Sequence, residues 1–250
     1  MAVLVMIPTL REAEALLGPV AARQALEGRG TIGGQPCSLV GMGPIEAAVG
    51  AGRAFARHPE VQAGLLLGLG GSYDLKRAPR GALVRAEWFG LDPAPLAFLE
   101  KGARLGLEGE LEARHPMPAE GLPAALGNWE GSEEILSGGF VTVAAPSEEP
   151  GVGRELGPGL EGAKLGPRRG GAKMGPGLKG AQLGPGLEGA LVEEMEGYAV
   201  ARAGMAFGKG LASLRAISNG VGERDLAVWD LEGAFRALRR VVEVLQGGLG

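Results

Sequence analysis

The 250-residue chain has a single cysteine, two histidines and an aromatic content of 4%. One cysteine, Cys37, excludes an intramolecular disulfide and a metal centre built on several thiolates. Its apolar surroundings in "CSLVGM" predict a small buried residue. His58 and His115 each precede a proline in a polar stretch without a partner motif, so we predict turn residues with no catalytic role.

Basic charge is also in deficit. The chain carries 25 Lys and Arg against 29 Asp and Glu, a formal net charge of -4. No excess of basic charge is present to neutralise phosphates, so nucleic acid is not an expected partner.

The N-terminal "MAVLVMIPTL" lacks a basic start, and its apolar stretch is too short to span a bilayer or form a signal peptide. We therefore predict a cytoplasmic protein that binds neither membrane nor nucleic acid.

Apolar runs that alternate with helical patterns are present on both sides of the chain's middle third. The runs "AVLVMIP", "CSLVGMG" and "GLLLGLGG" predict strands, and "REAEALLGPVAARQAL" and "PIEAAVGAGRAFARH" predict helices. Continuous apolar strands between amphipathic helices are typical of an α/β domain whose parallel strands are covered on both faces. A closing helix, "LAVWDLEGAFRALRRVVEVLQ", is predicted to pack a stripe of apolar residues against the core. The stripe comprises Leu226, Trp229, Phe235, Leu238, Val242 and Leu245.

Residues 156–190 differ from both flanks. They contain successive copies of a nine-residue unit, "LGPGLEGAK", "LGPRRGGAK", "MGPGLKGAQ" and "LGPGLEGAL", the last of which ends at residue 191. Gly-Pro in every copy interrupts helices, and each copy offers few apolar residues for burial. We predict a flexible insertion within one domain that spans residues 1–250. A small ordered repeat module and a binding element are the alternatives.

Four stretches could form a ligand site, because ligands of open parallel sheets bind beyond the carboxyl ends of the strands. They are "GMGPIEAA" (41–48), "GLGGSY" (68–73), "EEMEG" (193–197) and "ISNGVGERD" (217–225). Gly70 and Gly71 let backbone amides approach a ligand, and Ser72 adds a hydroxyl. No P-loop or complete GxGxxG fingerprint is present. Taken singly, tight turns explain these stretches as well as a site does.

Together and in this order, the four stretches resemble the nucleoside phosphorylase and nucleosidase superfamily. Within it the chain looks most similar to the futalosine hydrolases, relatives of the methylthioadenosine/S-adenosylhomocysteine nucleosidases. The resemblance covers the chain outside residues 150–190, and "EMEG" combined with "SN" is its most specific part. It implies a three-layer α/β/α domain, a homo-oligomer, and hydrolysis of a purine nucleoside without metal or cofactor. The implied reaction converts futalosine to hypoxanthine and dehypoxanthine futalosine in menaquinone biosynthesis.

The resemblance also implies roles for individual residues. Glu196 would accept hydrogen bonds from both ribose hydroxyls, Met195 would pack against the sugar, and Glu194 would support them. Asn219 stands where relatives that cleave adenine nucleosides carry aspartate. Because an amide both donates and accepts, it suits a 6-oxopurine such as hypoxanthine. The glycine loop with Gly70, Gly71 and Ser72, together with Ser218, completes the implied substrate contacts.

The residues after the first strand distinguish water from phosphate as the implied nucleophile. Superfamily phosphorylases carry Gly-Asp-Pro-x-Arg there, whereas "IPTLREAEAL" offers Arg11 but no glycine that would let phosphate approach. Glu12 or Glu14 lies where nucleosidases place the carboxylate that activates water, and we favour Glu12.

Two further points stay open from the sequence. The aromatic acid of futalosine would need aromatic or basic neighbours, for which Arg85, Trp88 and Phe89 are candidates. The alternatives to a futalosine hydrolase are a purine nucleoside phosphorylase, a methylthioadenosine/S-adenosylhomocysteine nucleosidase and a non-catalytic purine-binding protein.

Overall fold

Nine strands, five α-helices and a short 3-10 turn are formed by residues 2–91, 114–116, 135–143 and 189–247, which this computed structural model describes. The strands are β1 (Val3–Ile7), β2 (Gly30–Ile32), β3 (Gln35–Leu39), β4 (Ala63–Ser72), β5 (Leu83–Leu91), β6 (Arg114–Pro116), β7 (Leu136–Thr142), β8 (Ala190–Glu194) and β9 (Gly210–Gly220). The helices are α1 (Leu10–Leu17), α2 (Pro19–Leu26), α3 (Pro44–Arg57), α4 (Gly197–Ala206) and α5 (Leu231–Gly247).

The sheet is mixed and curls on itself. Strand β1 pairs in parallel with β3 and β4, and β4 pairs in parallel with β9. However, β5 runs antiparallel to β9, and β8 runs antiparallel to β4. Strand β7 joins β5 to β8, so β4, β9, β5, β7 and β8 close a ring. The expectation of an open parallel sheet is therefore wrong, because an apolar run records burial on two faces but not strand direction.

Helices cover both faces of this sheet, as the predicted three-layer α/β/α class requires. Alternate residues of β1 point to opposite faces. Val3, Val5 and Ile7 pack in one apolar cluster with α1, α2 and α5, and Leu4 and Met6 pack in another with α3 and α4. Burial of each such side chain contributes roughly 1.5–3 kcal/mol to folding. The α/β class is confirmed by this double core.

The helical pattern after β1 is split into two helices. Gly18 has a φ of 80°, and Pro19 follows at the first position of α2, where its missing N–H and fixed φ are tolerated. Helix α1 begins with a capping box: Thr9 Oγ1 accepts the Glu12 N–H, and the Glu12 carboxylate accepts the Thr9 N–H. This cap fixes the orientation of Glu12 at the end of β1.

The closing helix is shorter than its pattern predicts. Leu226 belongs to a 3-10 turn (Leu226–Val228) and is 63% exposed, and Trp229 is half-buried before the helix begins. Asp230 accepts the Gly233 N–H and so starts α5 one residue later. The core stripe is thus reduced to Phe235, Leu238, Val242 and Leu245, which are buried.

Three minor expectations can be compared with the structure. Cys37 is buried, and burial raises the pKa of its thiol to about 12. His58 caps the end of α3, whereas His115 lies in β6 opposite Phe89 and not in a turn.

Residues 156–188 of the predicted insertion lie outside the described residues, and Ala190, its last residue, already begins β8. No helix among the described residues is long and apolar enough to cross a membrane.

Candidate active site

A cavity of about 390 Å³ lies where β1, β4, β8 and β9 end. Its wall includes eight of the ten predicted site residues. They are Glu12, Gly70, Gly71, Glu194, Met195, Glu196, Ser218 and Asn219.

Two of the predicted loops are in fact strand ends. β4 continues through Ser72 and β9 through Gly220, because the two strands pair along their whole length with a register shift between Gly70 and Gly71. The shift sets Gly71 opposite Asn219, and a Cβ at Gly71 would lie 3.3 Å from Asn219 Nδ2. Glycine here therefore leaves the Asn219 amide room at the cavity wall.

Arg215, for which the sequence motifs predict no role, is buried next to the site carboxylates. Arg215 is 0% exposed, and its Nη2 donates to Glu194 Oε2 at 2.6 Å and to Glu196 Oε2 at 3.1 Å. Burial alone would lower the pKa of Arg215, but the neighbouring carboxylates raise it, so it stays charged. Its position inside the apolar strand "GLASLRAIS" could have predicted a buried ion pair, since an unpaired charge is almost never buried.

Glu194 is held in a fully bonded position beneath the cavity. Its Oε2 accepts the Glu196 N–H at 2.8 Å and the Gly197 N–H at 2.5 Å, in addition to Arg215. Its Oε1 accepts the Thr142 hydroxyl. Its side chain has no exposed surface. Glu194 therefore fixes the start of α4, and with it the Met195–Glu196 turn, from a buried position in the cavity wall.

Glu196 is the carboxylate that keeps an edge towards the cavity. Its Oε1 accepts the Gly43 N–H at 3.1 Å, and Gly43 has a φ of 81°, which favours glycine. Burial raises the pKa of Glu196 to about 7; Arg215 and the Gly43 N–H oppose this rise, and Glu194 adds to it. The loop "GMGPIEAA" thus contributes to the site through a backbone amide.

Glu12 reaches the same cavity from the start of α1. Its Oε2 accepts the Thr9 hydroxyl at 2.6 Å and its Oε1 accepts the Leu69 N–H at 3.0 Å. A Cβ at Gly68 would lie 3.0 Å from Glu12 Oε1 and 2.1 Å from Arg215 Nη1, so both groups approach the bare backbone of β4. Glu14, the alternative base, is exposed and does not line the cavity.

Ser218 and Asn219 form the opposite wall. The Ser218 hydroxyl donates to Asn219 Oδ1 at 2.7 Å, and Asn219 Nδ2 donates to the Gly220 carbonyl at 2.8 Å. One N–H and one lone pair of the amide are left for a ligand. Trp229 borders the same wall, where its indole N–H donates to the Glu223 carbonyl at 3.0 Å.

The other two predicted contacts lie outside the cavity. Ser72 is buried and accepts the Asp74 N–H, and so its hydroxyl is used in a local turn. Phe89 is 0% exposed and packs edge-to-face on Phe140, with ring centroids 5.8 Å apart. A Cβ at Gly197 would meet Phe89 at 2.2 Å, so this ring supports the start of α4. Ser72 and Phe89, both predicted as substrate contacts, therefore do not lie on the cavity wall.

The mouth of the cavity also differs from the prediction. Arg85 donates to Ser137 at 3.3 Å, and neither Arg85 nor Trp88 lines the cavity. Arg11, Met42 and Leu226 border it instead, and the last two are each 63% exposed. A cation and apolar groups thus surround the opening. The described residues contain no cluster of three or more metal-ligating side chains.

Solved structures share this fold. The methylthioadenosine/S-adenosylhomocysteine nucleosidase of Neisseria meningitidis, in complex with methylthio-immucillin-A, matches 98% of this chain and 99% of its own with a TM-score of 0.65 at 18% identity. The futalosine hydrolase of Helicobacter pylori matches 99% and 98% with a TM-score of 0.66 at 16% identity. At these identities the similarity shows the fold, which is the α/β/α fold of the nucleosidases.

Sequence comparison narrows this class. No family model matches the chain. The futalosine hydrolase of Thermus thermophilus is 34% identical over 244 residues, which cover 97% of this chain and 94% of the relative. The chain therefore belongs to the futalosine hydrolase family, and it is an N-glycosyl hydrolase.

Proposed function

We propose that the chain hydrolyses the N-glycosidic bond of futalosine to give hypoxanthine and dehypoxanthine futalosine, a step of menaquinone biosynthesis. The observation that carries the proposal is that Glu12, Glu196 and Asn219 line one cavity, in which Glu196 is paired with the buried Arg215. Membership of the futalosine hydrolase family supports the choice of substrate.

Glu196 and Met195 bind the ribose in this proposal. Glu196 is held from one side by Gly43 and from the other by Arg215, so its remaining lone pairs are directed before substrate arrives. Hydrogen bonds from hydroxyls to a carboxylate are worth about 1.5–3 kcal/mol each. Met195 is half-buried beside Val141 and Val143, where its thioether can pack against the sugar.

Asn219 reads the purine. Its free N–H can donate to O6 of hypoxanthine while its Oδ1 accepts from a protonated N7. The same contact stabilises charge that builds on the base as the bond to C1′ lengthens. An adenine in this position would set its amino group against the amide N–H, and an unpaired donor costs about 1–3 kcal/mol.

Glu12 acts as the base for water. The C1′–N9 bond breaks towards an oxocarbenium-like sugar, the water oxygen bonds to C1′, and Glu12 takes a proton from that water. The purine takes up one proton from solvent at N7 as it leaves, and Glu12 returns the proton of the attacking water to solvent, so the overall reaction consumes one water and restores the carboxylate. Glu12, Glu194 and Glu196 surround a single guanidinium, so the site has an excess of negative charge that favours a cationic sugar.

Arg11 and Met42 accommodate the aromatic acid beyond the ribose. Arg11 is exposed at the cavity mouth and makes no ion pair within the described part of the chain. Its guanidinium can therefore pair with a substrate carboxylate. Met42 adapts its shape to an aromatic ring.

We also propose a homo-oligomer that acts in the cytoplasm. Met42, just before α3, and Ile45 and Val49, in its first half, are 63%, 78% and 46% exposed. Such an apolar surface beside a cavity mouth is typical of a protein contact. Light scattering on the wild type and on Ile45→Asp should give a larger mass for the wild type, and cell fractionation tests the location.

Product analysis with futalosine, inosine and methylthioadenosine, each with and without phosphate, tests the reaction. We expect free dehypoxanthine futalosine and hypoxanthine at a rate that phosphate does not change. A phosphate requirement with sugar 1-phosphate as product would favour the phosphorylase, and preferred turnover of methylthioadenosine would favour that nucleosidase. Binding without turnover would favour the purine-binding protein.

A matched pair of variants tests the base. Glu12→Gln should lower kcat by at least about a hundredfold, the usual size of a general-base contribution. Glu14→Gln on the same helix should leave kcat unchanged, since that side chain is exposed. Equal losses in the two variants would contradict the role given to Glu12.

A further inference from the structure

A second cavity, of about 510 Å³, shares no lining residue with the active site. Among the described residues, four arginines and one aspartate, Asp230, line it; the arginines are Arg77, Arg80, Arg236 and Arg240. We refer to these four arginines and their cavity as the arginine cleft. A local excess of positive charge in a chain with a net charge of -4 calls for a physical reason.

Helix stability does not supply that reason. Arg236 and Arg240 are four residues apart on α5, and like charges at this spacing destabilise a helix by a few tenths of a kcal/mol. Within the described residues, neither Arg77 nor Arg236 makes an ion pair. Asp230 can offset one positive charge, because the hydrogen bond it accepts from the Gly233 N–H does not neutralise its carboxylate, and Glu223 offsets the charge of Arg80. Arg77 and Arg236 are therefore the cleft guanidiniums that can meet a negative charge from outside the chain.

Arg80 links the cleft to the active site. It donates to Glu223 Oε1 at 2.5 Å, while its buried Nε has no acceptor among the described residues. Glu223 in turn accepts the Gly220 N–H at 2.7 Å through its carboxylate and the Trp229 indole N–H through its carbonyl. The Arg80 guanidinium thus holds Glu223, and Glu223 supports the end of β9 and the Trp229 ring.

We propose that the arginine cleft binds a small polyphosphate-bearing molecule and that its occupation weakens nucleoside binding. A chain of two or three phosphates can contact several guanidiniums at once, in the planar geometry that favours phosphate oxygens. The volume lies in the range of small-molecule sites. Because such an anion competes with Glu223 for Arg80, it loosens the support of Gly220 and Trp229 beside Asn219.

Calorimetric titration with tripolyphosphate tests binding without relying on turnover. We expect one site per chain and a loss of affinity of at least about tenfold in Arg77→Ala/Arg236→Ala, as for the loss of two charge-assisted bonds. The control, Arg23→Ala/Arg53→Ala, removes two exposed arginines elsewhere and should bind as the wild type does. Thermal midpoints of both variants verify folding. Absence of binding to the wild type, or equal binding by the two variants, would overturn the site.

Further titrations identify the ligand class and the coupling. ATP that binds as tightly as tripolyphosphate assigns the phosphate chain as the recognised group, and tighter ATP binding assigns a nucleotide. A short single-stranded RNA that binds more tightly than both would overturn the small-molecule assignment. Tripolyphosphate should raise the KM for the nucleoside at least about threefold in the wild type and leave it unchanged in Arg77→Ala/Arg236→Ala. An unchanged KM in the wild type would overturn the coupling.

Discussion

Arg215 donates a single guanidinium nitrogen to two carboxylates, Glu194 at 2.6 Å and Glu196 at 3.1 Å, and all three side chains are buried. Ion pairs in water contribute little, but a charge left alone in a protein interior is costly. The three residues are therefore one unit, in which Arg215 makes it possible to keep carboxylates beneath a substrate cavity.

Replacement of Arg215 tests this unit. Arg215→Met keeps an apolar stem but leaves two buried carboxylates without a cation, so we expect the free energy of unfolding to fall by about 3 kcal/mol or more. Urea unfolding at pH 8 measures this change. Arg202→Met, which removes an exposed arginine from α4, should change it by less than about 0.5 kcal/mol. A similar small effect in both variants would contradict the structural role of Arg215.

The pKa of Glu196, raised to about 7, predicts a pH dependence of catalysis. The proposed ribose contact needs the ionised form, which predominates above pH 7 and is lost as the pH falls through 7. We therefore expect kcat/KM for futalosine to fall about tenfold between pH 8 and pH 6. Glu196→Gln should lower kcat/KM at least about a hundredfold at pH 8, and that variant should lack this ionisation. A wild-type profile that is flat over this range would contradict the assignment.

Asn219→Asp should move the preference from hypoxanthine towards adenine nucleosides. An aspartate can accept from the amino group and from a protonated N7 of adenine, but an ionised carboxylate cannot donate to O6. Its carboxylate would also face the Gly220 carbonyl, which now accepts from Nδ2 at 2.8 Å, so total activity should fall. The ratio of kcat/KM for methylthioadenosine to that for futalosine is insensitive to this general loss. We expect it to rise at least tenfold, and an unchanged ratio would mean that another residue reads the base.

Local sequence patterns predicted the elements well because each one depends on neighbours in the chain. The apolar run of β1 and the Pro44 start of α3 are examples. Strand direction, by contrast, depends on partners that are distant in sequence. The antiparallel pairing of Gly71 with Glu193 could not be inferred from either stretch alone.

In the candidate site too, local patterns indicate individual residues, whereas contacts between residues distant in sequence depend on the fold. Glu12, Glu196 and Asn219, which the family resemblance implied, line one cavity. Phe89 does not line it, and its sequence neighbours do not reveal that it packs under Gly197. Arg215 was overlooked, although its position in an apolar strand could have marked it as a buried partner of the "EEMEG" carboxylates. Gly43 lies in the predicted stretch "GMGPIEAA", but the bond from its backbone amide to Glu196, 153 residues away, could not be inferred from the sequence.

Gly68→Ala tests the packing of Arg215 against β4, because glycine in the middle of this strand has a defined geometric cause. A Cβ there would lie 2.1 Å from Arg215 Nη1 and 3.2 Å from Pro8 Cγ. The guanidinium cannot move away freely, because it is buried and bonded to two carboxylates. Overpacking of this kind typically costs about 1–3 kcal/mol. We therefore expect a lower thermal midpoint together with a fall in kcat/KM of at least about thirtyfold, since Glu196 and Glu12 would both shift.

A second glycine in a packed element supplies the control for this substitution. Gly52 lies within α3, and a Cβ there would meet Phe207 at 3.9 Å, an ordinary contact. Gly52→Ala should therefore raise the stability by roughly 0.5–1 kcal/mol, as expected for alanine in a helix, and leave kcat/KM unchanged. If Gly68→Ala behaved in the same way, the guanidinium of Arg215 could not lie against β4, and the position assigned to Glu196 beneath the ribose would fail with it.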